Sequence, residues 1–106
     1  MITLLSRESI IMHPFVVAEI ALGSLRNRRR TLQPLEKLRQ IEVAHIDEVR
    51  SMIERHSLYS RGIGLIDAHL IASCLITPGT QLWTRDARLA AVAQTLRIHA
   101  HLPRLY

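Results

Sequence analysis

Leu65-Ile66-Asp67-Ala68-His69-Leu70-Ile71-Ala72-Ser73-Cys74-Leu75-Ile76-Thr77-Pro78-Gly79-Thr80-Gln81-Leu82-Trp83-Thr84-Arg85-Asp86 is the stretch whose reading decides the fold. Leu65 to Ile76 is nearly unbroken apolar sequence at helical length, which predicts a buried helix. Thr77-Pro78-Gly79 punctuates it, because Pro and Gly both favour turns. Gln81 to Thr84 then reads as a compact strand. Arg85-Asp86-Ala87-Arg88 leads into a further helix over 89–96. A buried helix turning directly into a buried strand is the repeating unit of an α/β sheet.

Working towards the N-terminus, Arg61-Gly62-Ile63-Gly64 is a flexible link, and Asp47 is placed to cap an amphipathic helix in which Val49, Met52, Ile53 and His56 share a stripe. Residues 41–45 alternate as a short strand does. Thr31 can cap a helix running to Arg39. Residues 15–25 predict another buried helix, apolar except for Glu19, with Pro14 in its first turn. Arg26 and Arg28 to Arg30 then fall near its C-terminus, where positive charge suits the macrodipole. Residues 9–13 read as the first buried strand, and 98–102 as a terminal one. Strands separated by helices imply a mainly parallel sheet flanked by helices on both faces. The first strand comes almost at once, as if the opening unit of the sheet were missing.

The chain has 106 residues, enough for one domain with one core. It is 48% hydrophobic and 22% charged, which separates it from disordered sequences. Aromatic residues are only 4%, which argues against a base-stacking platform. A net charge of +5, with arginine dominant, favours a polyanionic partner without choosing among RNA, DNA, an acidic protein or a membrane surface. The single cysteine, Cys74, lies in an apolar run and reads as a small buried hydrophobe. No leader pattern and no membrane-length apolar run is present, so the expected compartment is the cytoplasm.

Three acids break the pattern of the rest. Glu19 interrupts Phe15-Val16-Val17-Ala18-Glu19-Ile20-Ala21-Leu22, Asp67 interrupts the apolar run quoted above, and Asp86 follows Trp83-Thr84. A buried carboxylate must be paired, hydrogen-bonded or bound to a cation. Asp67 and Asp86 can also be read as helix-capping acids, and Glu19 as half of a buried ion pair. If the three met at the C-terminal edge of a parallel sheet, they would repel until a hard cation bound, and oxygen ligands suit Mg²⁺ or Mn²⁺. The histidines offer no rival site: HExxH is absent, and His69 faces away from Asp67 on a helix.

The stretches His13-Pro14-Phe15-Val16-Val17-Ala18-Glu19-Ile20-Ala21-Leu22-Gly23, Arg61-Gly62-Ile63-Gly64-Leu65-Ile66-Asp67-Ala68-His69-Leu70 and Leu82-Trp83-Thr84-Arg85-Asp86-Ala87-Arg88-Leu89 resemble three motifs of the PIN domain. More narrowly they resemble VapC-type toxins of bacterial toxin–antitoxin pairs. The resemblance implies a metal-dependent endoribonuclease that hydrolyses RNA phosphodiester bonds at a Mg²⁺ or Mn²⁺ site. Glu19, Asp67 and Asp86 fall on the family's acidic positions and Thr84 on its hydroxyl position. Arg61 and Arg85, and less strongly Arg88, would hold substrate phosphates. A cognate antitoxin and an RNA substrate are the implied partners.

The resemblance also has a gap. PIN domains open with a strand bearing another metal-binding Asp, and nothing before Ser9 looks like it. The expectation is therefore a single PIN-like domain over 1–106, incomplete at its N-terminus, with uncovered apolar faces that favour a homodimer or higher oligomer. The competing expectation is a catalytically impaired remnant acting as a protein- or RNA-binding module. A third is a nucleic-acid binder using Arg26 and Arg28 to Arg30 as a phosphate patch.

Overall fold

The computed structural model describes residues 2–6 and 9–99. Three strands, β1 (Ile2–Ser6), β2 (Ser9–Ile11) and β3 (Thr80–Thr84), form one sheet in the order β2-β1-β3. Five helices accompany it among the described residues: α1 (Pro14–Leu22), α2 (Arg28–Lys37), α3 (Ile46–Arg55), α4 (Leu65–Ile76) and α5 (Ala87–Thr95). None of them is long and apolar enough to cross a membrane.

The α/β class holds, but the strand directions correct the expectation of a mainly parallel sheet. β1 is antiparallel to both neighbours. Only two residues separate β1 from β2, and so short a connection permits only antiparallel pairing. β2 and β3 do run the same way, with β1 inserted between them. Without β1 each would present a row of unpaired backbone groups. The register aligns Ile11, Leu4 and Leu82 across the three strands, and all three side chains are buried. This row joins one core cluster with Leu70 and Ile71 of α4 and Leu89 and Val92 of α5, helices that pack on β3, and with Val49 and Met52 of α3, which packs on α4.

Two expected strands shrink to single parallel bridges. The segment after α2 meets the sheet edge at Met12↔Gln40, where Met12 N–H donates to the Arg39 carbonyl and Ile41 N–H to that of Met12. Near the C-terminus the bridge is Leu82↔His99; the rest of the strand expected over 98–102 lies outside the described residues. The helix caps also shift. Asn27, not Thr31, caps α2 through Arg30 N–H at 3.1 Å, so Arg28 to Arg30 open that helix. Arg28 still reaches back to the end of α1, donating to the carbonyls of Ala21 at 2.7 Å and Gly23 at 3.3 Å. Asp47 lies in the first turn of α3, whose cap residue is His45.

The expectation that α1 is buried is also corrected: it has no fully buried residue, and Leu22 is 82% exposed. Its neighbour is α2, which contributes no buried residue either. The start of α1 is nevertheless tied into the core. His13 Nδ1 accepts from Phe15 N–H at 3.0 Å and so caps the helix. That leaves the neutral ring's proton on Nε2, which donates to Ser73 Oγ of α4 at 3.1 Å. Ser73 Oγ also accepts from Ala44 N–H at 3.1 Å. His13 and Ser73 are both fully buried.

Burial, and secondarily the nearby His69, push the His13 imidazole from about 6.5 down to about 4. The unfolded chain therefore binds a proton that the folded one refuses between those values. The stability contributed by neutral His13 is complete above about pH 6.5 and lost as pH falls towards 4, roughly 3 kcal/mol in all. Urea unfolding measured across that window is expected to show this loss, and His13→Gln, which cannot titrate there, to flatten the slope by up to about 1.4 kcal/mol per pH unit.

Candidate functional site

β3 ends on Thr84, a buried residue whose Oγ1 accepts the Asp86 N–H at 3.1 Å. This bond turns the chain out of the sheet and into α5. Asp86 is the N-cap of that helix, its Oδ1 accepting from Arg88 N–H at 2.9 Å and Leu89 N–H at 3.1 Å. The capping reading of Asp86 is thus correct. It occupies one carboxylate oxygen; Oδ2 has no hydrogen-bond partner among the described residues, and the side chain is exposed. Arg85 is exposed and sits over the Trp83 ring, 5.9 Å from its centroid.

α4 returns to the same edge of the sheet. It packs on β3 and is joined to it by only three residues, Thr77 to Gly79, so the two elements run in opposite directions. A helix of this length covers about 18 Å and a five-residue strand about 17 Å, so the start of α4 comes level with the end of β3. Asp67, half-buried in the first turn of α4, accepts from Gly64 N–H through Oδ2 in a long 3.5 Å contact. The loop before it touches α5. A Cβ on Gly62 would lie 2.9 Å from Arg88 Cδ and one guanidinium nitrogen, and Gly62 has φ +75°. Only glycine meets both conditions without strain. Arg61, beside it, is exposed.

Glu19 stands on a different element. β2 and β3 end on the same side of the sheet, and α1 leaves the end of β2 through His13. Glu19 lies one turn beyond Phe15, exposed, with no hydrogen-bond or charge partner among the described residues, so the ion-pair alternative does not hold. Phe15 packs edge-on against His69, ring centroids 4.7 Å apart. His69 and Ser73 are four residues apart and share the face of α4 that receives α1. Asp67 is about 160° around the helix from His69 by helical geometry. The three acids lie on three elements: Glu19 on α1, Asp67 on α4 and Asp86 at the cap of α5. They do not form a tight cluster: no group of three or more His, Cys, Asp or Glu side chains among the described residues is gathered closely enough to hold a metal ion.

The donor chemistry nonetheless fits a hard cation. All three acids supply oxygen, and each keeps at least one carboxylate oxygen outside the capping bonds. Mg²⁺ keeps several waters and commonly takes only one or two carboxylates, so it does not need a three-acid cage. No thiol competes, since burial pushes Cys74 up to about 12 and keeps it protonated. His13, Ser73 and the Gly62–Arg88 contact carry the local architecture; from sequence His13 reads only as support for a strand end, Gly62 as part of a flexible link and Arg88 as a candidate phosphate holder, while Ser73 does not stand out. A serine inside Ile71-Ala72-Ser73-Cys74 and a histidine before a proline are the only signals that hinted at them.

The PIN domain family matches residues 2–94. "Ribonuclease VapC32" of Mycobacterium tuberculosis strain H37Rv is 41% identical over 91 residues, covering 86% of this chain and 73% of that protein. The protein of the same name from strain CDC 1551 / Oshkosh matches to the same extent. No solved structure matches significantly. The chain belongs to the PIN-domain family and is of VapC type.

The Gly62–Arg88 contact has a measurable consequence. Gly62→Ala is expected to lower stability by about 1–2 kcal/mol, the usual cost of a left-handed non-glycine residue plus displacement of Arg88. In an Arg88→Ala background the steric part should disappear, so a double-mutant cycle by urea unfolding should give a non-zero coupling.

Proposed function

We propose that the chain is a metal-dependent endoribonuclease, the toxin component of a type II toxin–antitoxin pair, acting on RNA phosphodiester bonds. The observation that carries this reading is the family match over residues 2–94 together with 41% identity to a protein named a ribonuclease, in a chain whose Asp86 is built into the turn from β3 to α5. Asp67 and Asp86, with Glu19, would hold Mg²⁺ or Mn²⁺. Such an ion supplies an activated water and polarises the phosphoryl oxygens when bound.

The protein's own part is positional. Thr84 fixes the backbone of Asp86, and the α5 cap holds its Oδ1, so Oδ2 is presented in a set direction. Arg61 and Arg85 flank the edge and would take substrate phosphates, Arg85 steadied against Trp83. Antitoxin and a second copy of the chain are the protein partners in this reading. The apolar residues left exposed at Leu22 on α1 and Leu65 on α4 support such contacts. A cytoplasmic location is part of the same reading.

Asp86→Asn separates the two roles of Asp86, because asparagine caps a helix as well as aspartate. Thermal stability is expected to stay within about 1 kcal/mol of the parent, while Mn²⁺ affinity and RNA cleavage fall at least about 10–100-fold. Asp67→Asn should do the same, and chelation should abolish cleavage of the unaltered chain. RNA binding with no metal-dependent cleavage would instead favour the binding-module alternative.

A further inference from the structure

Two of the candidate acids stand on separate helices, and one buried contact joins those helices. α1 carries Glu19 and α4 carries Asp67. The described hydrogen bond joining the two elements runs from His13 Nε2 to Ser73 Oγ, with both residues fully buried. The same histidine caps α1 through its other nitrogen. The same serine holds Ala44, in the segment that enters α3. One turn away on α4, His69 receives the Phe15 ring, which also stands 4.9 Å from the His13 ring. The start of α1 is thus held at two points on one face of α4. Beyond it α1 has no fully buried residue; Val16 is partly buried against the core, and Arg28 of α2 holds the far end of the helix through the Ala21 and Gly23 carbonyls.

We propose that His13 and Ser73 are positioning residues for the carboxylate site, the His13–Ser73 hydrogen bond fixing where Glu19's helix stands relative to Asp67's. The inference rests on the reading of those acids as metal ligands. Neither residue touches metal or substrate. The effect runs through the direction in which α1 leaves the sheet, because an error of a few degrees at its first turn is carried along to Glu19. Loss of supporting hydrogen bonds of this kind typically weakens metal affinity roughly 10–100-fold.

Two near-isosteres divide the functions of the ring. Asparagine reproduces Nδ1 and keeps the α1 cap but is too short to reach Ser73. Glutamine carries its amide nitrogen near the place of Nε2 and keeps the Ser73 contact while losing the cap. The readouts are Mn²⁺ affinity by calorimetric titration and the distance distribution between nitroxides at Leu22→Cys on α1 and Leu75→Cys on α4. Both positions are exposed, and buried Cys74 stays unlabelled. Thermal melts confirm folding.

His13→Asn is expected to weaken Mn²⁺ binding by about 10–100-fold and to broaden the distance distribution, and Ser73→Ala to behave likewise. His13→Gln should keep affinity within about threefold and leave the distribution narrow. Unchanged affinity and distances in His13→Asn overturn the proposal, as does equal damage in His13→Gln. If the unaltered chain binds no Mn²⁺, the carboxylate reading fails on its own. The distance arm then still decides the positioning claim, a narrow distribution in His13→Asn counting against it.

Discussion

His13 accepts a hydrogen bond from the helix it begins and gives its own proton to a serine sixty residues away. Both halves of that arrangement require a neutral ring with the proton on Nε2. The bond is buried, so each group would be left unsatisfied if its partner went, at about 1–3 kcal/mol apiece. Three parts of the chain meet there: the exit from β2, the entry to α3 and the middle of α4. An aliphatic core gives little directional information. Leu4, Ile11 and Leu82 can be covered by helices at many angles. The polar contact at His13 and Ser73 selects among those angles.

The sheet sets the second constraint. Because β1 is antiparallel to both neighbours, β2 and β3 end on the same side although they do not touch. Continuing the register two residues past Ile11 and Leu82 brings His13 and Thr84 level with Ile2, roughly 10 Å apart across two strand spacings. The residue that begins α1 and the residue that sets up Asp86 are therefore fixed by the same row of the sheet. α4 adds Asp67 by running back along β3 for a matching length. This edge of the sheet is built by strand register and helix length.

Much of this was legible beforehand. Leu65–Ile76 is the helix its apolar run predicts, and Thr77-Pro78-Gly79 ends it as those residues should. Thr80–Thr84 and Ala87–Thr95 depart from expectation by one or two residues at their ends, the usual ambiguity of caps. The failures share a cause. The sequence of α1 is apolar all round, but burial needs something to cover it, and its neighbour α2 is polar. Residues 41–45 alternate correctly for a strand, yet partners for pairing exist only near Gln40. β1 was missed because its identity comes from the gap between two other strands, not from its own pattern. For the site, the acids stood out because charge in an apolar run is conspicuous. Ser73 did not, since one hydroxyl looks the same in sequence whether or not it joins three segments.

Capping and ligation at Asp67 and Asp86 were set out from sequence as rival readings, and the geometry makes them compatible. A carboxylate has two oxygens and about four lone-pair sites. At Asp86 two backbone N–H groups converge on Oδ1, and the Asp86 N–H is tied to Thr84. These bonds remove rotational freedom from the side chain before any ligand arrives, so less entropy is lost when Oδ2 is used. They also place the carboxylate at the positive end of a helix dipole, where a negative charge is favourably sited. Asp67 is held more loosely, by one long contact in the first turn of α4. Glu19 makes no side-chain hydrogen bond among the described residues. The three acids thus form a gradient of pre-organisation, from Asp86 through Asp67 to Glu19. The residue with least local support is the one that depends most on the direction of its helix, and that direction is set at His13.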